Sequence, residues 1–328
     1  MKNKGISLIA IIIIVVILIF ILAIGAVLII NGGKKEQNKI AESSNNYPNN
    51  VSEKSNIEIK TKANINDLKI GDYILYNPDS KEYTTSGNEN NGSKQTFKTV
   101  DAKWIYIGKD ENGKNLITTK EPVFYGDEND LKLDGAGGYL EGEKELNSIC
   151  KALYSNNIGN ARSMNFDDTI RLLNYTGPKG CYAENGKLET LTEEAMKIKD
   201  IEKKVGKTID GRKTPDGKTD ISEYLSDCVE IPITSDKIKE TYSDYVYNSN
   251  KFWLSTASTK ADLPGSFSGG SVMFLMRTVD REKIGGTTLF ISYDKPQSVK
   301  MHAAIRPVVE INSSATVGKN NNGEWILK

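Results

Sequence analysis

Lys103-Trp104-Ile105-Tyr106-Ile107, followed by Asp110-Glu111-Asn112-Gly113 and Asn115-Leu116-Ile117-Thr118-Thr119, reads as two strands joined by a turn. Aromatic and β-branched residues suit a pleated, half-buried surface, and Asn-Gly readily supplies the positive φ angles of a hairpin turn. Antiparallel pairing is thus written into the chain. Upstream, Gly71-Asp72-Tyr73-Ile74-Leu75-Tyr76-Asn77-Pro78 reads as a short strand closed by a turn. Downstream, the last third returns to strands at residues 251–256, 271–279, 287–293, 304–311 and 324–327.

Helices are expected between these strands. Leu146, Ile149, Cys150 and Leu153 fall at i, i+3, i+4 and i+7 within residues 143–154, which gives one apolar face. Over residues 165–174, Asn165 serves as a cap and Asp167 and Asp168 occupy the first turn, where the helix dipole favours negative charge. Residues 183–224 are strongly polar and read as a surface insertion, with a helix at 192–204 before a Gly/Pro/Asp stretch. Helices grouped between antiparallel strands predict an α+β class rather than the regular alternation of a parallel sheet.

The N-terminus has a different character. Residues 6–30 form an uncharged run of 25, twenty of them Ile, Leu, Val or Phe. As a helix this run reaches roughly 37 Å, enough to cross a hydrocarbon core of about 30 Å with some tilt. It is too long for a secretory signal and lacks an Ala-x-Ala exit, so it predicts an uncleaved single-pass transmembrane helix. Lys2 and Lys4 precede it, and a short basic stub stays inside while a long domain crosses whatever its charge. Residues 1–5 are therefore expected in the cytoplasm, and residues 31–66, poor in large apolar groups, as a disordered linker. Residues 67–328 then form the extracellular domain.

Lys4-Gly5-Ile6-Ser7-Leu8-Ile9-Ala10, opening that apolar run, resembles a prepilin-type (class III) signal. The resemblance implies cleavage between Gly5 and Ile6 by a prepilin peptidase. Pilins usually carry Glu five residues after the cut, where this chain has Ala10; that departure bears on filament assembly rather than on processing. A second set of motifs, Trp104-Ile-Tyr-Ile107, Leu146-Asn-Ser-Ile-Cys150, Ala161-Arg-Ser-Met-Asn165, Phe252-Trp-Leu-Ser255, Gly269-Gly-Ser-Val-Met-Phe274 and Arg306-Pro-Val-Val309, resembles uncharacterised bacterial surface domains related to C-type-lectin-like folds. That resemblance implies a ligand loop between late strands, and here the corresponding stretch holds Asp262, Pro264, Gly265 and Phe267.

Composition and motifs narrow the chemistry. With 43 basic and 43 acidic side chains there is no basic field to hold a polyanion, so nucleic acid is not an expected partner. The single histidine, His302, cannot build a multi-histidine metal site, and no Cys lies in a sortase-like strand context beside it. The lectin calcium triplets are missing from the late loop, and Arg212 occupies a ligand position in the loop-like run from Asp210 to Asp220. Of Cys150, Cys181 and Cys228, the last two lie in polar, loop-like surroundings and form the candidate disulfide, while Cys150 belongs to a helix stripe. Trp104, Trp253 and Trp325 sit in apolar strand patterns and are expected in the core; Arg277 and Arg306 read as structural ion pairs at least as well as anion ligands. No cofactor, metal or catalytic set is expected. The leading function is a membrane-anchored ligand-binding or interaction module with an extracellular protein or glycan as partner. The alternatives are a pilin-like or pseudopilin subunit of an envelope filament and an envelope enzyme acting on glycans.

Overall fold

Trp104 and Tyr106 join one buried apolar cluster, and Ile105 and Ile107 join another. Successive side chains of a strand point to opposite faces, so this strand has core on both sides. The computed structural model describes residues 59–87, 94–126, 129–177, 181–184, 187–190, 196–205, 213–226, 230–239, 242–248, 250–262, 271–292 and 297–328.

The first strands are β1 (Thr61–Lys62), β2 (Tyr73–Leu75), β3 (Glu82–Thr84), β4 (Thr96–Lys98), β5 (Trp104–Lys109), β6 (Asn115–Thr119), β7 (Leu131–Asp134) and β8 (Gly159–Ser163). Through the polar middle follow β9 (Cys181–Glu184), β10 (Lys187–Thr190), β11 (Met196–Lys197), β12 (Leu225–Ser226) and β13 (Ile231–Pro232). The last third holds β14 (Phe252–Asp262), β15 (Ser271–Val279), β16 (Lys283–Ser292), β17 (Gln297–Ser298), β18 (Lys300–Ala303), β19 (Pro307–Ile311), β20 (Val317–Lys319) and β21 (Trp325–Leu327). The helices are α1 (Gly135–Tyr154), α2 (Phe166–Leu172) and α3 (Ile198–Val205).

Two large sheets result. One runs β1-β20-β21-β2-β5-β6-β19-β8, antiparallel except where β2 lies parallel to β21. The other runs β11-β12-β14-β15-β16-β13, with β17 also on β16 and a parallel β12–β14 contact. The two meet at the segment between β18 and β19. There Trp253 N–H donates to the Ala304 carbonyl, Ala304 N–H donates to that of Lys251, and Val123 bridges Ile305. Arg306 closes this junction: fully buried, it donates to the carbonyls of Thr119 (3.1 Å), Lys120 (2.9 Å) and Val246 (3.4 Å). Burial pulls its guanidinium down to about 10, against the opposing charge of Glu121.

The helix α1 packs over β8 and β14. Leu146, Ile149, Cys150 and Leu153 are fully buried, as their spacing requires; truncating such a leucine to alanine costs about 2–5 kcal/mol. The helix begins eight residues before the stretch expected from periodicity, at Gly135, whose φ is +50°. A Cβ on Gly138 would stand 3.0 Å from the Leu133 carbonyl carbon, so the glycines let the first turn lie against β7. The edge strand β8 is blunted by α1 and its exit, since Asn147 Oδ1 accepts from Ser163 N–H (3.0 Å) and Ser155 Oγ from Ala161 N–H (2.8 Å).

The α+β expectation is corrected by these proportions. Strand accounts for 40% of the structure and helix for 18%, so the mixed, lectin-like domain gives way to a mostly β architecture. The polar stretch 183–224 accounts for a small part of the difference. Its described residues contribute the end of β9, β10 and β11, and the helix there, α3, begins at Ile198 rather than at 192 because 196–197 are strand. Within the expected helix, Met196 and Lys197 are instead strand, paired with Ser226 and Leu225 of β12. The membrane helix expected at 6–30, with the leader and most of the linker, lies outside the described residues. Among the described residues no helix is long and apolar enough to cross a bilayer. The longest, α1, carries Glu141, Glu143, Lys144, Glu145 and Lys151.

Candidate functional site

The hairpin β15–β16 turns through Asp280-Arg281-Glu282-Lys283. Asp280 N–H donates to the Lys283 carbonyl at 3.0 Å, and Asp280 Oδ1 accepts from the backbone N–H groups of Glu282 and Lys283, both at 2.9 Å. An aspartate tying its own turn in this way is ordinary turn chemistry. It commits one carboxylate oxygen and leaves Oδ2 without a hydrogen bond from any described residue.

Two glycines follow the turn within β16, Gly285 opposite Thr278 and Gly286 opposite Arg277. Glycine inside a strand weakens it and marks a place where something approaches closely. Here they line a cleft of about 420 Å³ together with the charged Glu230, Lys251, Asp280 and Lys283 and the apolar Ile291, Val299 and Met301. Thr278 and Thr287, whose hydroxyls lie 3.1 Å apart, line it as well. A Cβ on Gly285 would meet nothing closer than Glu230 Oε1 at 3.6 Å, so that position opens into the cleft, whereas one on Gly286 would press within 2.8 Å of Leu275.

The four charges are not equivalent. Lys283 Nζ pairs with Glu230 Oε1 at 2.9 Å, both side chains close to half exposed. Lys251, at the entry to β14, is half-buried and makes no ion pair or hydrogen bond through its ammonium with a described residue. Burial holds its ammonium below the usual lysine range, Lys283 adds to that, and Asp280 opposes it. Among the described residues the cleft therefore holds one uncommitted cation and one uncommitted carboxylate oxygen beside an ion pair closed on itself. That is the composition of a binding pocket: an apolar body with a few converging polar groups.

No family model, no curated protein and no solved structure matches this chain.

The residues singled out from sequence fall elsewhere. Asp262 ends β14, paired in register with Ser271, and Pro264, Gly265 and Phe267 lie outside the described residues, as do Gly5 and Ile6. Cys181 opens β9 opposite Thr190, Cys228 lies outside the described residues, and Cys150 is a buried free thiol. His302 sits on β18 opposite Lys132, its Nδ1 3.0 Å from Asp130 Oδ2, and clasps the β7–β18 ribbon. Arg277 is buried with its guanidinium 3.9 Å from the centre of the Phe166 ring, and Arg306 serves the sheet junction. Trp104 and Trp253 are buried, and Trp253 Nε1 donates to the Leu131 carbonyl at 3.0 Å. Among the described residues no group of three or more His, Cys, Asp or Glu is arranged to hold a metal ion. Sequence reading did not single out Lys251 or Asp280; the signal that pointed to them is Gly285-Gly286 interrupting an otherwise β-rich run.

Proposed function

We propose that this chain is a membrane-anchored surface protein whose folded part is a ligand-binding module, with the cleft over β15 and β16 as its binding site. The observation that carries the reading is the strand-interior Gly285, whose missing side chain leaves open a space of about 420 Å³ lined by charged and apolar residues. Anchoring rests on the uncharged run of 25 residues at 6–30 behind Lys2 and Lys4. By the same orientation argument the binding module lies outside the cell.

The test compares the full-length protein, extracted in detergent, with a Gly285→Phe variant that fills the cleft. A thermal-shift screen against small metabolites and short glycans is expected to find compounds that raise the melting temperature of the parent and leave the variant unmoved. Compounds that stabilise both chains equally, or none that act on the parent, would overturn the assignment of the cleft.

A second reading, a pilin-like subunit, is favoured by Lys4-Gly5-Ile6 ahead of the apolar run. Intact mass after co-expression with a prepilin peptidase decides it. A mature chain beginning at a methylated Ile6 supports export by that route, and Ala10 in place of the usual Glu predicts that such a chain does not polymerise efficiently.

A further inference from the structure

We infer that the cleft takes a compact zwitterion with an apolar body, of the class of a free α-amino acid with an aliphatic side chain. This rests on the cleft being the binding site and adds the class of its ligand.

Charge balance comes first. Glu230 and Lys283 neutralise each other across 2.9 Å, which leaves Lys251 and one oxygen of Asp280 to face an occupant. These two make no ion pair with each other although both line the same space. A ligand of one net charge satisfies one of them and leaves the other desolvated and unpaired, which is unfavourable. A ligand carrying both a carboxylate and an ammonium satisfies both, the carboxylate on Lys251 and the ammonium on Asp280 Oδ2. Thr278 and Thr287 add hydroxyls that can donate to the same carboxylate or accept from the ammonium.

Shape comes second. Ile291, Val299 and Met301 line the same space and offer an environment for a short hydrocarbon side chain. The space, about 420 Å³, falls at the small end of ligand pockets, which run from about 300 to 1,000 Å³.

The experiment is calorimetric titration of the full-length protein in detergent with three isosteric probes: L-leucine, 4-methylpentanoate without the ammonium, and 3-methylbutylamine without the carboxylate. Leucine is expected to bind, and each single-charge analogue to bind at least about tenfold more weakly, the equivalent of about 1.4 kcal/mol. In Lys251→Met, leucine affinity should drop to that of the amine. In Asp280→Asn, which keeps the turn-bonding oxygen, it should drop to that of the acid. Binding of 4-methylpentanoate as tight as that of leucine would overturn the zwitterion assignment in favour of an anion site. So would no heat from any probe while a compound from the screen is blocked by Gly285→Phe, and that result leaves the binding-module reading standing. A screen with no compound sensitive to Gly285→Phe overturns both. Should Asp280→Asn fail to fold, Lys251→Met and the analogue series carry the test alone.

Discussion

Two regions of this molecule are built from the same ingredients, basic and acidic side chains beside a strand end, and they use them in opposite ways. Around β8, Arg162 donates to both oxygens of Asp168 (2.6 and 2.9 Å) and to Glu310 (3.2 Å), which also takes Lys114 (2.6 Å). Asp168 in turn closes a capping box with Asn165 at the start of α2. These groups answer one another, and their partners hold the Arg162 guanidinium charged well above its ordinary range despite the burial that opposes it. Around the β15–β16 turn, Lys251 and Asp280 share a cleft and do not pair. A closed network orders the fold, and an open one has something left to bind.

The sharpest way to break that contrast is to remove one member of the closed network. Arg162→Met leaves Asp168, whose side chain is 4% exposed, with the Asn165 N–H at 3.0 Å and a longer ion pair to Arg171 at 3.7 Å, and is expected to lower unfolding free energy by about 3 kcal/mol. Equilibrium urea unfolding checks it, and a loss under 1 kcal/mol would show the β8 network to be no tighter than a surface pair. Asp168→Asn keeps a capping oxygen and loses the charge, so about 1–2 kcal/mol is expected in the same assay.

Another carboxylate sharpens the comparison through pH. Glu145, buried on α1, has its carboxyl pushed above the usual range chiefly by desolvation, with Tyr83 and Ser86 at 3.4 Å opposing that only in part. A carboxyl whose folded value is raised favours folding when protonated. Its contribution is therefore full below the unfolded value and is lost as pH rises through the folded one. Glu145→Gln should stabilise the protein at neutral pH, and the gain should vanish in urea titrations run below the ordinary glutamate range.

The smallest effects belong to the open region. Lys251→Met should change stability by no more than about 0.5 kcal/mol, because no ion pair or hydrogen bond with a described residue is lost. Its depressed ammonium should make Lys251 acylate faster than exposed lysines in a mass-spectrometric labelling series below pH 10, and equal rates would remove the argument from its environment.

How far the sequence foretold this depends on which physical rule operated. The hairpin of β5 and β6 was legible because alternation and Asn-Gly are local signals, and Trp104 does pair with Thr119. The apolar stripe of α1 was legible from Leu146 onward, while its first two turns were not: Gly135-Ala136-Gly137-Gly138 has loop composition, and its helical state depends on packing against β7 and Ser298. The mostly β proportion was missed since strands with pairing partners far apart in sequence, β7 with β18 and β8 with β19, carry no local signal. The cleft was missed for a related reason. Lysines and aspartates are common along this chain, and only strand register brings Lys251 beside Asp280 and Thr287.

Arg306 has a bearing on how the protein can be divided. Its guanidinium ties Thr119 and Lys120, at the end of a strand in one sheet, to Val246. The neighbouring Ala304 is bonded to both Lys251 and Trp253, at the entry to a strand in the other sheet. A chain cut anywhere between 246 and 304 would leave three carbonyls and a buried cation on opposite fragments. The two sheets are thus a single inheritance: neither is a module that evolution or an engineer can move without the other, and heat should melt them in one step.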